Sequence, residues 1–386
     1  MPDEHTTPDS LRNLERDCAD TSTPDKRFTV KSWGEVLAAE IAPQEGFFGD
    51  CFFTLGQIQA IFGQGGLGKS RIALNLARNN VLGFPFLGHP TGQPLCHLFM
   101  GNENDIHRWK KDMTCMSKGL GQNQIDALSA NIHVTTLERP EDSIITLAAP
   151  DAKERWSQTI SSVNPAVLWL DPWGAVMDGD TLSETDVRST LQTVLQMTRH
   201  TNPKCAVVIL AHARTGLANI EQAVGFDAAN FGKDSKALYS AARAVVNLAP
   251  YDESEHPDLV FVFAKNNNGP KPKPLRIQLD PDTLTYSEAG NIEIQTWRES
   301  IRATRRPLNR QAQKLPFDER KALEIAATPM TKGEFVEALC NVGMTRDSAK
   351  NGAARLLREN KLRQVKHGRR NGHLIGTPEA LQREGL

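Results

Sequence analysis

The stretch IFGQGGLGKSRIALNLA, residues 61–77, decides how the rest of this chain is read. It contains G-x-x-x-x-G-K-S as Gly63, Gly68, Lys69 and Ser70, with Gly65 and Gly66 between them. The apolar run Ile58–Phe62 ahead of it predicts a strand, and Ile72, Leu74 and Leu76 behind it are the apolar positions of a helix. A glycine-rich turn between strand and helix lets backbone N–H groups converge on α- and β-phosphates, a geometry that side chains would obstruct. The helix N-terminus adds positive potential. In that arrangement Gly63, Gly65, Gly66, Gly68, Lys69, Ser70 and Arg71 surround the phosphates; Lys69 reaches the β- and γ-phosphates and Ser70 holds Mg²⁺. The cofactors implied are ATP and Mg²⁺.

Outward from this loop, further strands are predicted at 96–100, 166–170, 206–211, 245–248, 259–264 and 275–279, with helices at 70–80, 106–120, 143–162 and 184–200. Alternating strands and helices, with near-continuous apolar strands, predict an α/β fold: a mostly parallel sheet with helices on both faces. Ligands of such sheets lie beyond the carboxyl ends of the strands, so polar residues there are site candidates. AVLWLDPW ends its apolar run in Asp171, placed to hold the Mg²⁺ shell. CHLFMGNEND brings out Glu103, where a carboxylate can deprotonate an attacking water, with Asp105 the next candidate. AVVILAHART ends in His212, whose imidazole can hydrogen-bond the γ-phosphate.

A phosphate loop, then Glu, Asp and His after successive strands, resembles the RecA-like ATPases. Within them the chain is most similar to the hexameric replicative helicases of plasmids and phages, AAA-family ATPases of the RepA type, and more distantly to the DnaB type. The resemblance runs from about Trp33 to Tyr286. It implies a mobile loop, Ala213–Phe231, after His212, then nucleic-acid contacts from Lys233 and Lys236 and a finger residue at Arg243. DnaB-type proteins carry K-x-R-N-G-P after a late strand; here AKNNNGP matches at Lys265, Asn268, Gly269 and Pro270, with Asn267 where the arginine would be. Gly269 permits a reversal, and Pro270, Pro272 and Pro274 stiffen the chain beyond it, as expected of an arm holding Lys265 out to a neighbouring subunit's γ-phosphate. The partners implied are DNA, five further copies of the chain, and a replication initiator or primase.

Charge divides the chain. Residues 298–386 hold 19 Lys/Arg against 10 Asp/Glu, a net of +9, so −10 falls on the first 297 residues of a chain whose net charge is −1. A basic tail on an acidic body points to a polyanion. Four parts are expected: a disordered acidic arm (1–27), the ATPase core (28–297), a basic linker (298–314) and a C-terminal domain (315–386). The last shows three helical segments and a hairpin, the pattern of a winged helix, with Arg346, Lys350, Asn351 and Arg355 facing a DNA groove and Arg369 and Arg370 on phosphate. Winged helices also dock proteins, and that alternative stays open. No stretch has the length and apolarity of a membrane span, and the six scattered cysteines form no CxxC pair, so a reducing cytosol is expected. Two functions are compatible with this pattern: an ATP-driven motor on DNA, or an ATP-switched DNA-binding regulator.

Overall fold

The computed structural model describes residues 30–40, 45–214, 216, 220–233, 236–254, 256–311, 317–366 and 373–386, with the side chains of 226 and 304–311 excepted. The chain divides into two compact units, Met1–Gln44 and Glu45–Leu386. In the first, the helix Trp33–Ala38 is closed by a capping box between Ser32 and Glu35. The expected acidic arm lies outside the described residues.

In the second unit a short antiparallel pair, β1 (Gly46–Phe48) and β2 (Phe53–Thr54), precedes the main sheet. The sheet comprises β3 (Ile58–Gly63), β4 (His97–Gly101), β5 (Ile132–Val134), β6 (Val167–Asp171), β7 (Ala206–His212), β8 (Ala244–Pro250), β9 (Leu259–Asn266), β10 (Leu275–Leu279) and β11 (Tyr286–Asn291). Its order is β11-β10-β9-β8-β3-β7-β6-β4-β5. From β8 to β5 every neighbouring pair is parallel, and β9, β10 and β11 extend the sheet antiparallel. The expected α/β fold, a mostly parallel sheet with helices on both faces, is therefore present.

Side chains alternate between two cores, as the period of a strand requires. Ala60, Leu168, Val207, Ile209 and Val245 pack on one face with Trp156, Ile160 and Leu191 of the helices Ala152–Val163 and Glu184–Thr201. Ile61, Trp169, Val208 and Val246 pack on the other with Ile72 and Leu76 of the helix Lys69–Leu82 and Trp109 of the helix Ile106–Met116.

Two predicted elements are corrected. The segment expected to be helical from 143 begins regular helix only at Ala152. Thr146 Oγ1 donates to the Met177 carbonyl (2.6 Å), the Leu147 amide donates to that of Val176 (3.0 Å), and Pro150 comes next, so the backbone is engaged sideways. The basic stretch expected to be a linker is instead the helix Ile294–Gln311. Trp297 and Ile301, four residues apart and buried, anchor its first turns to the sheet core, which composition alone does not reveal.

The C-terminal region has its own core, built from Ala322, Phe335, Leu339, Ala353, Leu356, Leu362 and Ile375. Three helices, Glu319–Ile325, Lys332–Asn341 and Arg346–Arg358, are capped by Asp318, Thr331 and Thr345. Strands β12 (Met330–Thr331), β13 (Arg363–Lys366) and β14 (His373–Gly376) pair antiparallel in the order β12-β14-β13. The helix Pro378–Arg383 ends the region. Arg369 and Arg370, at the expected hairpin tip, lie outside the described residues.

Candidate nucleotide site

The phosphate-loop helix begins at Lys69, and its N-cap Gly68 is left-handed at φ 81°, with no side-chain cap. A first helical turn has amides without intrahelical acceptors, and here they belong to Lys69, Ser70 and Arg71. Gly68 is required twice over: a side chain would be strained at that φ, and a Cβ would collide with the Tyr286 hydroxyl. Gly65 and Gly66 are exposed, with open space before them. The cradle therefore fits phosphate groups.

Lys69 is 7% exposed. Its ammonium donates to the carbonyls of Gly63 (3.0 Å) and Gln64 (3.1 Å) and stands 3.4 Å from His212 Nδ1. Burial lowers its pKa, opposed by the charges of Asp171 and Glu103. Asp171 is 2% exposed. Burial raises its pKa, opposed in part by Ser70, the Lys69 charge and a hydrogen bond from the Asn104 amide, whose Nδ2 is 3.1 Å from Oδ2. A buried carboxylate beside the Ser70 hydroxyl is a donor set of hard oxygens, which fits Mg²⁺.

Sheet register assembles these groups. Gly63 is the partner of His212 across β3 and β7, and Gly101 is the partner of Asp171 across β4 and β6. A Cβ at Gly101 would run into the Asp171 carbonyl, so only glycine brings the Glu103 turn this close. Glu103 Oε1 lies 3.7 Å from His212 Nε2, and both side chains are partly exposed. Lys69, Ser70, Glu103, Asp171 and His212 thus converge at the carboxyl ends of adjacent strands. Beside Gly66–Gly68 opens a cavity of about 560 Å³ lined by Leu67, Arg71, Asp258, Leu279, Leu284 and Tyr286, among others.

Other predicted residues fall elsewhere. Arg71 sits on the loop helix, but its guanidinium is turned to Asp112 (3.2 and 3.3 Å), which leaves its backbone for phosphate. Lys265 is not held outward. Its Nζ donates to the carbonyls of Tyr239 (2.9 Å) and Ser240 (3.1 Å), at the end of the helix Lys236–Ala241, and stands 5.2 Å from the centre of the Tyr239 ring. Carbonyls at a helix end attract a cation, and the arm folds back accordingly. Arg243 is exposed nearby. Since Gln59 pairs with Ala244, and Lys265 with Val245, both cations lie at the amino ends of the parallel strands. That is the end opposite Gly63, roughly 16 Å along β3 at about 3.3 Å per residue.

The loop expected to be mobile after His212 is docked over its described second half, where Ile220, Ala223, Val224, Ala228 and Phe231 are buried. Lys233 and Lys236 beyond it are exposed. In the C-terminal module Arg346, Lys350 and Asn351 are exposed, whereas Arg355 pairs with Glu319 (2.9 Å) and lies 5.3 Å from the Phe317 ring centre. An acid on the neighbouring helix thus holds the exposed Arg355 guanidinium in a surface ion pair. Asn104 was missed by sequence reasoning, although it adjoins Glu103 in GNEND; an amide beside a predicted acid was its one signal.

A protein-family model described as an AAA domain matches residues 22–216, just over half of the 386 residues. The chain belongs to this AAA-domain family. The match takes in Lys69, Ser70, Glu103, Asp171 and His212 of the AAA domain and ends before Arg243 and Lys265. An AAA domain is an ATPase module, so nucleotide binding belongs to this chain. A comparison with curated proteins finds no match. Among solved structures, the AAA-domain chain is similar to a KaiC-like protein of the hyperthermophilic archaeon Pyrococcus horikoshii OT3. Identity is 11%, coverage 64% of this chain and 97% of that one, and the TM-score 0.41. It is also similar to a second solved structure, an ATPase domain, at 14% identity, 61% and 85% coverage and a TM-score of 0.43. Among the described residues, no helix is long and apolar enough to cross a membrane.

Proposed function

We propose that this AAA-domain protein is an ATP-hydrolysing motor on DNA, a homo-hexameric replicative helicase of the plasmid and phage RepA type. The observation that carries this is a hydrolytic set at one end of the sheet: buried Lys69 and Asp171, with Glu103 3.7 Å from His212. Lys69 holds the β- and γ-phosphates, while Ser70 and Asp171 hold Mg²⁺, which when bound neutralises charge on the phosphates. Glu103 orients a water and takes its proton. Asn104 fixes the Asp171 carboxylate, and the base and ribose occupy the cavity beside Tyr286. A device that only switches on ATP binding has no need of Glu103.

The stabilising cation comes from a second copy. Arg243 carries that role, with Lys265 as the second cation at the same edge; neither can serve its own phosphate loop from the opposite end of the strands. A subunit with Arg243→Ala keeps a sound loop, and one with Lys69→Ala keeps a sound edge. The first preparation alone is expected to hydrolyse ATP slowly, since such a cation is worth about 10³–10⁵ in rate, and the second alone not at all. Turnover is expected to reappear when the two are mixed. No recovery at any ratio, for Arg243→Ala or Lys265→Ala, removes the ring from the proposal.

The separately cored C-terminal module, with Arg346 and Lys350 exposed on one helix, supports a winged-helix reading and favours a second possibility, an ATP-switched DNA-binding regulator. Under either reading, removing residues 315–386 weakens duplex DNA binding and flattens its salt dependence, because phosphate-contacting cations are lost. ATPase activity of the body persists. Duplex affinity unchanged by the deletion, measured across a salt series, would make the module a protein-docking one.

A further inference from the structure

The loop that succeeds His212 is stitched to the site at its near ends. The Lys233 amide donates to the His212 carbonyl (2.8 Å), the Arg214 amide to that of Phe231 (3.1 Å), and Gln64 Nε2 to that of Arg214 (3.2 Å). Its far part is gripped from two sides. From β8 below, Asn247 Nδ2 donates to the carbonyls of Ala223 (2.9 Å) and Ala228 (3.1 Å). From the helix Ile294–Gln311, Arg298 Nη2 donates to those of Val224 (2.8 Å) and Glu221 (3.3 Å), and Arg302 pairs with the Glu221 carboxylate at 2.9 Å. The guanidinium of Arg298 is embedded deeply enough that its Nε is buried without an acceptor among the described residues. Burying such a group costs stability, and an aliphatic side chain would cover the core at less cost. The gain lies in the two loop carbonyls.

We propose that Arg298 and Arg302 are positioning residues that hold the loop after His212, so that Lys233 and Lys236 meet single-stranded DNA and its binding is felt at the phosphate site. This rests on the proposed motor function and on the nucleic-acid contacts that the sequence resemblance implies for Lys233 and Lys236. Neither arginine touches nucleotide. They act through the carbonyls of residues 221 and 224, and the stitched near ends carry a shift of the loop to His212.

Two measurements on the full-length protein test this. Hydrogen exchange reads the grip without any DNA. With Arg298→Ala, the amides of residues 220–231 should exchange faster by roughly tenfold, since two hydrogen bonds are lost. Steady-state ATPase with oligothymidylate reads the consequence: basal turnover stays within about twofold of wild type, while half-stimulation needs roughly five- to tenfold more oligothymidylate. Arg298→Lys, which keeps a donor, should recover much of both. If Arg298→Ala does not fold, the surface pair serves instead: Arg302→Glu and Glu221→Arg each weaken stimulation, and the double exchange restores it. Unchanged exchange overturns the proposal, as does faster exchange with stimulation intact, or a fall in basal turnover matching the fall in stimulation. A wild-type protein that oligothymidylate does not stimulate overturns the coupling as well. Faster exchange in the variant would then leave the grip standing, and the failure would belong to the nucleic-acid assignment.

Discussion

Replacing Lys69 by alanine is expected to abolish ATP turnover and remove most nucleotide affinity. The ammonium is buried against the carbonyls of Gly63 and Gln64, so its charge is fixed at the mouth of the cradle. An alanine removes the ammonium from both carbonyls, leaving that of Gly63 with the Ala213 amide as donor, and leaves the phosphates without a cation. Hydrogen bonds to a charged group contribute about 1.5–3 kcal/mol each, and loss of two or three accounts for a large fall in affinity. The fall in rate is larger, because charge on the transferring group is greatest in the transition state. Titration with a labelled nucleotide measures the first, and steady-state turnover the second. A variant that turns over at the wild-type rate removes the phosphate-loop assignment and everything built on it.

Glu103→Gln behaves differently. The amide keeps the shape of the carboxylate, which stands 3.7 Å from His212 Nε2, so nucleotide is expected to bind with near wild-type affinity. It cannot take a proton from water, and general-base catalysis is worth about 10²–10⁴ in rate. Turnover is expected to fall by that factor while a fluorescent nucleotide analogue still saturates the protein. Hydrolysis within a few-fold of wild type transfers the role to Asp105, which in the structure caps the helix Ile106–Met116 by accepting from the Arg108 amide.

The parts of the site that the sequence made legible are those fixed by local pattern. Lys69 and Ser70 are written in a motif between an apolar strand and an amphipathic helix. Asp171 and His212 end near-continuous apolar runs, which are what a strand buried on both faces looks like. Glu103 is legible for the same reason. What remained hidden depends on partners distant in the chain. Arg71 meets Asp112, 41 residues away, and no feature of either residue announces the other. Lys265 finds backbone carbonyls 25 and 26 residues before it, and carbonyls have no sequence signature. The antiparallel direction of β9 was equally silent, because apolar runs do not encode orientation. At 298–314 composition misled: arginines suggested a solvated linker, while Trp297 and Ile301 had already committed the backbone to a helix.

The two ends of β3 have a consequence for symmetry. On the role proposed for Arg243, with the phosphate loop at one end and Arg243 at the other, two arrangements complete the site: a twofold pair in which each loop meets the other copy's Arg243, and a head-to-tail series. The twofold pair stops at two copies, whereas a head-to-tail series either closes into the proposed ring or leaves one site unfinished at its end. A subunit lacking Arg243 would act as a terminator, silencing the neighbour whose phosphates it faces while its own loop stays sound. Small admixtures of such subunits would then depress activity in proportion to how many sites must work in turn, so a dilution series reads out the cooperativity of the assembly.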